Sequence, residues 1–176
     1  YELADGEAYD GPLSSYFSEA NAMLTMQHLS EGIGYRVVGT QKHVDAEVWL
    51  EEVLRRYEGT HATGGSEYAT HVEVFRQQSD GRHRFEILGH PVWKRYYGMS
   101  NLIVRVSDGS EESKAHTLLV NAHVDSTIPS PGAVDDAAGV AIMLEALRAL
   151  TVRGAPRMKH GLVLLFNNGE ESLQDA

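Results

Sequence analysis

Residues 123–139 read HVDSTIPSPGAVDDAAG. One histidine and three aspartates fall between His123 and Asp136, spaced by two prolines and a glycine. Before this stretch runs "HTLLVNA", an apolar segment of strand character. After it, Val140, Met143, Leu144 and Leu147 recur at helical spacing and give the segment from about Asp136 to Leu150 one buried face. "RGAP" closes that helix, and "HGLVLLFNN" follows as a second strand, apolar on both faces as a central parallel strand would be. Strand, helix and strand over residues 117–167 predict a crossover unit with both strands in one sheet, right-handed by default. Chemistry-bearing residues therefore sit where a strand turns into a helix.

Upstream, Ser18 is a good N-cap for a helix over "SEANAMLTMQHLSE". A second helix is expected from about Val44 to Tyr57. There Ala46, Trp49, Leu50, Val53, Leu54 and Tyr57 form one continuous stripe that reads as core packing. "YATHVEVFRQ" and "RFEIL" read as strands flanking Asp80-Gly81, a two-residue hairpin signal. "NLIVRV" is a further strand, joined to the next by the polar loop "SDGSEESKA". Residues 1–17 are acidic and aperiodic, a loosely ordered lead-in; 18–176 read as the front of one domain that is incomplete at its end.

The chain has 176 residues, 15 basic against 25 acidic, a net charge of −10 and no cysteine. That balance argues against nucleic acid and anionic membrane as partners of this segment. The lack of cysteine excludes disulfides, thiolate metal sites and a cysteine nucleophile. Any metal must be held by His, Asp and Glu.

Ligands of open α/β sheets bind outside the carboxyl ends of the strands. "HVD" lies at that end of the first strand and "GEE", residues 169–171, at that end of the second, with Asp135 and Asp136 at the start of the helix between them. One imidazole and five carboxylates would thus share one rim, a repulsive arrangement unless a cation neutralises it. Beside His123, Asp125 can accept one ring proton and aim the other nitrogen at a metal. Imidazole plus carboxylates suits zinc or another divalent first-row ion. Of the adjacent glutamates, one can ligate while the other takes a proton from water, a hydrolytic design.

"HVDS…PGAVDDAAG…NNGEE" resembles the co-catalytic di-zinc aminopeptidase family, which also contains glutaminyl cyclases. "FSEANAMLTMQHLSEGIGYRVVGT" and "SPGAVDDAAGVAIMLEALRAL" look most like its branch of endoplasmic-reticulum metallopeptidases and fungal vacuolar membrane proteases. The resemblance implies an α/β fold: an open mixed, mainly parallel sheet with helices on both faces, cut off after the strand carrying Glu-Glu. It implies a peptide substrate, two Zn2+ ions per complete site and hydrolysis by a water bridging them. His123 would ligate one zinc with Asp125 as its orienting partner, Asp135 would bridge both ions, Glu170 would be the catalytic base and Glu171 a ligand of the second zinc. A cis peptide between Asp135 and Asp136 is implied as well, with Asp136 a local support. The resemblance places the protein in the lumen of the endoplasmic reticulum or vacuole, within a membrane-anchored parent.

The family takes a further Asp and His from segments after the second glutamate. The expectation is therefore that this piece alone binds zinc weakly and hydrolyses nothing, and that "GLVLLF" presents an unpaired apolar edge. Two other readings stand beside the peptidase. A catalytically dead relative used for binding is disfavoured by the intact acids, and a glutaminyl cyclase by "DD" where that branch tends to have Ser after the bridging Asp.

Overall fold

The computed structural model describes residues 16–62, 68–153 and 157–173; the expected lead-in lies outside them apart from Tyr16 and Phe17. Helix α1 spans Glu19–Gln27 and continues into a wider turn over His28–Ile33. Ser18 caps it as expected, its Oγ accepting from the Asn21 N–H at 3.1 Å. Helix α2 spans Gln41–Arg55, earlier than its apolar stripe suggests, because Thr40 accepts from the His43 N–H and fixes the first turn.

Five strands form one sheet: β1 Gly59–His61, β2 Thr70–Ile87, β3 His90–Ser107, β4 Thr117–His123 and β5 Gly161–Asn167, ordered β1-β2-β3-β5-β4. A short helix α3, Glu111–Ala115, lies inside the polar loop between β3 and β4. Helix α4, Ala138–Arg153, links β4 to β5, and α5, Glu170–Leu173, follows β5. The α/β class, the open mixed sheet and the strand–helix–strand unit are as expected, with β4 parallel to β5 from Thr117↔Gly161 to His123↔Asn167.

Three details differ. The sheet is not mainly parallel among the described residues: β1–β2, β2–β3 and β3–β5 all pair antiparallel. β5 has no free edge, since β3 and β4 flank it; the apolar edge is β4, where Leu118 and Leu119 are exposed. The hairpin does not turn at Asp80-Gly81. β2 runs through that site with a register shift, and the turn comes at Leu88-Gly89, both at positive φ. Gly81 answers to a close approach: a Cβ there would lie 2.2 Å from the Tyr96 hydroxyl oxygen.

The core lies on one face of the sheet. Val72 and Val74 of β2, Leu102, Val104 and Val106 of β3, and Leu164 and Phe166 of β5 alternate along their strands and meet Leu50 and Leu54 of α2 and Val140, Met143 and Leu147 of α4. This period of two is the mark of a sheet buried on one side. On the other side Phe75 and Leu119 are exposed and Ile103, Val163 and Leu165 half-buried, so α1, α2 and α4 do not divide between two faces. Leu50 is fully buried and Val44, on the same helix, is 44% exposed. Leu50→Ala is expected to lower unfolding free energy by about 2–5 kcal/mol, and Val44→Ala to change it by no more than about 0.5 kcal/mol, both read by urea denaturation.

Candidate metal centre

The sheet delivers its functional side chains where β4 and β5 end together. His123 is the last residue of β4, and its paired position on β5 is Asn167, two residues before Gly169. Parallel pairing therefore brings the "HVD" and "GEE" segments to one rim although they are far apart in sequence. Asp135 joins them from the kinked turn Ala133–Ala137, where Asp135 and Asp136 leave helical geometry (φ −117°, ψ 91° and φ −129°, ψ 34°). The peptide between these two aspartates is cis.

His123, Asp135 and Glu171 each place one potential ligand atom within 4.8 Å of the others. His123 Nε2 lies 2.9 Å from Asp135 Oδ1 and 3.8 Å from Glu170 Oε2. The ring is buried, whereas the Asp135 carboxylate is 78% exposed and Glu170 is 43% exposed. The arrangement is a buried imidazole at the floor of an open acidic rim. All five residues singled out from the sequence are here: His123, Asp125, Asp135, Glu170 and Glu171.

Asp125 works differently from the expectation. The nearest acceptor to His123 Nδ1 is the Asp125 main-chain carbonyl oxygen at 3.1 Å, with the carboxylate at 3.6 Å. The fully buried carboxylate instead accepts from two backbone donors across the rim, Gly169 N at 2.9 Å and Glu171 N at 3.1 Å. Asp125 thus sets the imidazole with its main chain and pins the "GEE" turn with its side chain. Asp136 accepts from the His123 N–H and, at the start of α4, from the Gly139 N–H. A Cβ on residue 139 would fall 2.3 Å from Asp136 Oδ1, which is why "DDAAG" ends in glycine.

Two supports have no obvious mark in the sequence. Arg36, wholly buried, donates to the carbonyls of Val124, Leu29, Gly34, Pro131 and Gly132, at 2.7–3.2 Å. Three of those acceptors belong to the loop between His123 and Asp135, so one guanidinium fixes its course. Asn168, just before the turn, donates to Glu47 Oε1 and the Ser100 carbonyl, and its Oδ1 lies 2.8 Å from His43 Nε2. An arginine among turn residues and an asparagine after a strand give no local signal; their partners are distant in the chain.

Burial alone would lower the His123 pKa, but the acceptors of Asp125 and Asp135 outweigh it and raise it to about 9. Burial raises the Glu171 carboxyl, helped by the negative Asp135 and Glu170. The His123 shift, and the smaller contribution of Asp135 and Glu170 to that of Glu171, reflect negative charge gathered at one rim. An imidazole nitrogen and carboxylate oxygens converging under that excess fit a divalent cation.

Residues 101–176 match peptidase family M28. The chain is 43% identical over 170 residues to an endoplasmic reticulum metallopeptidase 1 of Schizosaccharomyces pombe, covering 97% of this chain and 21% of that protein. It is 33% identical over 166 residues to a vacuolar membrane protease of Paracoccidioides brasiliensis, covering 83% and 16%. The chain thus spans about a fifth of the length of such relatives. Among solved structures it resembles a glutaminyl cyclase of Porphyromonas gingivalis (TM-score 0.61, 23% identity, 88% of this chain and 46% of that one). It also resembles a leucine aminopeptidase precursor of Bacteroides thetaiotaomicron (TM-score 0.60, 20% identity, 88% and 48%). At these identities the likeness is one of fold.

In the metal-free protein the stabilising effect of protonated His123 is complete below pH 6.5 and is lost as pH rises through about 9. An NMR titration of the His123 ring is expected to give a midpoint near 9, and Asp135→Asn to move it down toward the ordinary histidine value.

Proposed function

We propose, for a chain whose residues 101–176 match peptidase family M28, that it is the zinc-binding front of a metallopeptidase domain that hydrolyses peptide bonds. The observation that carries this reading is the convergence of His123, Asp135 and Glu171 on one point of an acidic rim. His123 and Asp135 would hold one zinc ion and Asp135 and Glu171 a second, with Asp135 shared. Bound there, zinc would polarise the scissile carbonyl and ease ionisation of the attacking water.

The rest of the chemistry falls to the protein. Glu170 takes the proton of the attacking water on its carboxylate and returns it to the leaving amine. Its Oε2 lies 3.8 Å from His123 Nε2, at the ligands yet open to solvent, as this task needs. Asp125 acts through others. Its carboxylate, bonded to the N–H groups of Gly169 and Glu171, fixes the turn from which Glu170 and Glu171 project. His123 is held in one orientation by the Asp125 carbonyl, leaving Nε2 for the metal.

The names of the relatives support a place in the endoplasmic reticulum or vacuole, in a membrane-anchored protein acting on peptides. With Asp135 shared, each zinc has two ligands from this segment, where catalytic zinc ordinarily has three. The 176-residue chain by itself is accordingly expected to lose zinc on dialysis and to show no peptidase activity; retention of stoichiometric zinc would contradict this division of ligands. In the complete enzyme, Glu170→Gln is expected to cut kcat by about 10²–10⁴-fold while zinc content stays unchanged. Undiminished hydrolysis in that variant would remove Glu170 as the base.

A further inference from the structure

The β2–β3 hairpin is much longer than the sheet it belongs to. β1 covers only Thr70–Val72 of β2, and β5 covers only Leu102–Val106 of β3. From Gln77↔Asn101 outward, as far as Ile87↔His90, the two strands pair with each other alone among the described residues. At ~3.3 Å per residue this ribbon is about 35 Å long. A two-stranded ribbon without a third layer is marginal in water.

Its composition runs against the rest of the chain. Between Gly81 and Tyr97 there are four cations, Arg82, Arg84, Lys94 and Arg95, and one acid, Glu86, in a protein of net charge −10. The two outermost aliphatic side chains face water: Leu88 is 94% exposed and Ile87 49%. Behind them come exposed aromatic rings, Trp93 and Tyr97. The cations lie among the rings, with the Arg82 guanidinium 5.2 Å from the Trp93 ring centroid and Lys94 Nζ 4.7 Å from that of Phe85. Lys94 also reaches back to the Ser172 carbonyl, tying the ribbon to the helix that carries Glu170 and Glu171.

We propose that this ribbon docks the protein on an anionic lipid bilayer, with Leu88 and Ile87 entering the headgroup region while the aromatic and cationic residues behind them lie at its surface. The tip offers aliphatic side chains to the acyl boundary, and behind it the register sets Trp93 opposite Arg84, followed by Lys94 and the facing Arg82 and Arg95, so that an amphipathic ring lies among positive charges suited to the interface and the lipid phosphates. Whole-chain charge argues against an anionic surface as partner, but Arg82, Arg84 and Arg95 are exposed on the ribbon, and of its four cations Lys94 is the one that reaches the helix carrying Glu170 and Glu171. The inference stands whether or not the metal centre is a peptidase.

The test is sedimentation of the 176-residue chain with vesicles of phosphatidylcholine, alone or with about one third phosphatidylserine. Binding is expected to the anionic vesicles and not to the neutral ones, to weaken with salt, and to fall at least tenfold in Leu88→Asp. Arg82→Gln and Arg84→Gln should each cost about fivefold. All three side chains are exposed, and unchanged far-UV circular dichroism will verify the fold. A Trp93→Phe variant should abolish any blue shift of tryptophan emission on vesicle binding, since Trp49 packs against the core. No binding, equal binding to both kinds of vesicle, or anionic binding indifferent to Leu88→Asp would overturn the proposal. So would a concentration-dependent dimer in lipid-free solution that Leu88→Asp dissolves.

Discussion

The carboxylate of Asp125 joins two strand ends that the chain brings together only through a helix. It is fully buried, and a buried charge is costly unless hydrogen bonds or opposite charge offset it. Two backbone N–H groups, of Gly169 and Glu171, meet its oxygens, and the buried Arg36 guanidinium contributes favourable charge nearby. In return the turn after β5 cannot drift from the end of β4. The same residue's carbonyl orients His123. One aspartate therefore sets the relative position of the imidazole and the paired glutamates.

That coupling explains why the acidic rim persists. Asp135, Glu170 and Glu171 would relax apart if their backbones were free. Instead Arg36 fixes the loop before Asp135, Asp136 fixes the start of α4, and Asn168 anchors the turn to α2 and β3 through Glu47 and Ser100. Repulsion is held in place by neighbouring hydrogen bonds, as is usual where a protein prepares a site for a cation. The raised His123 pKa has the same origin: in the absence of a metal, a proton is the positive charge the site can recruit.

The strand–helix–strand unit was legible in the sequence because its signals are local and agree: two apolar runs, a helical stripe and a polar junction. The convergence of His123, Asp135 and Glu171 followed from that unit alone. The hairpin turn is hidden in the sequence because Asp80-Gly81 is a strong local turn signal, while the actual turn sets Leu88 at positive φ, which propensity would not choose. What overrides propensity is cross-strand pairing, with the Tyr96 ring lying over Gly81. Strand direction at β3–β5 was equally hidden, since nothing within either strand encodes its distant neighbour. The role of Arg36 is hidden for the same reason: its five acceptors come from three separate segments.

The central claim is that His123, Asp135 and Glu171 form a zinc site whose sole nitrogen ligand is one imidazole. X-ray absorption of the concentrated, undialysed chain with no more than an equimolar amount of zinc tests it directly, because scattering from imidazole rings can be counted and weak binding is saturated at such concentrations. The account predicts no more than one imidazole per zinc, with oxygen ligands at about 2.0–2.2 Å, and loss of the imidazole signal in His123→Ala. Several imidazoles per zinc, unchanged in that variant, would mean that other histidines of the chain hold the metal and would contradict the account.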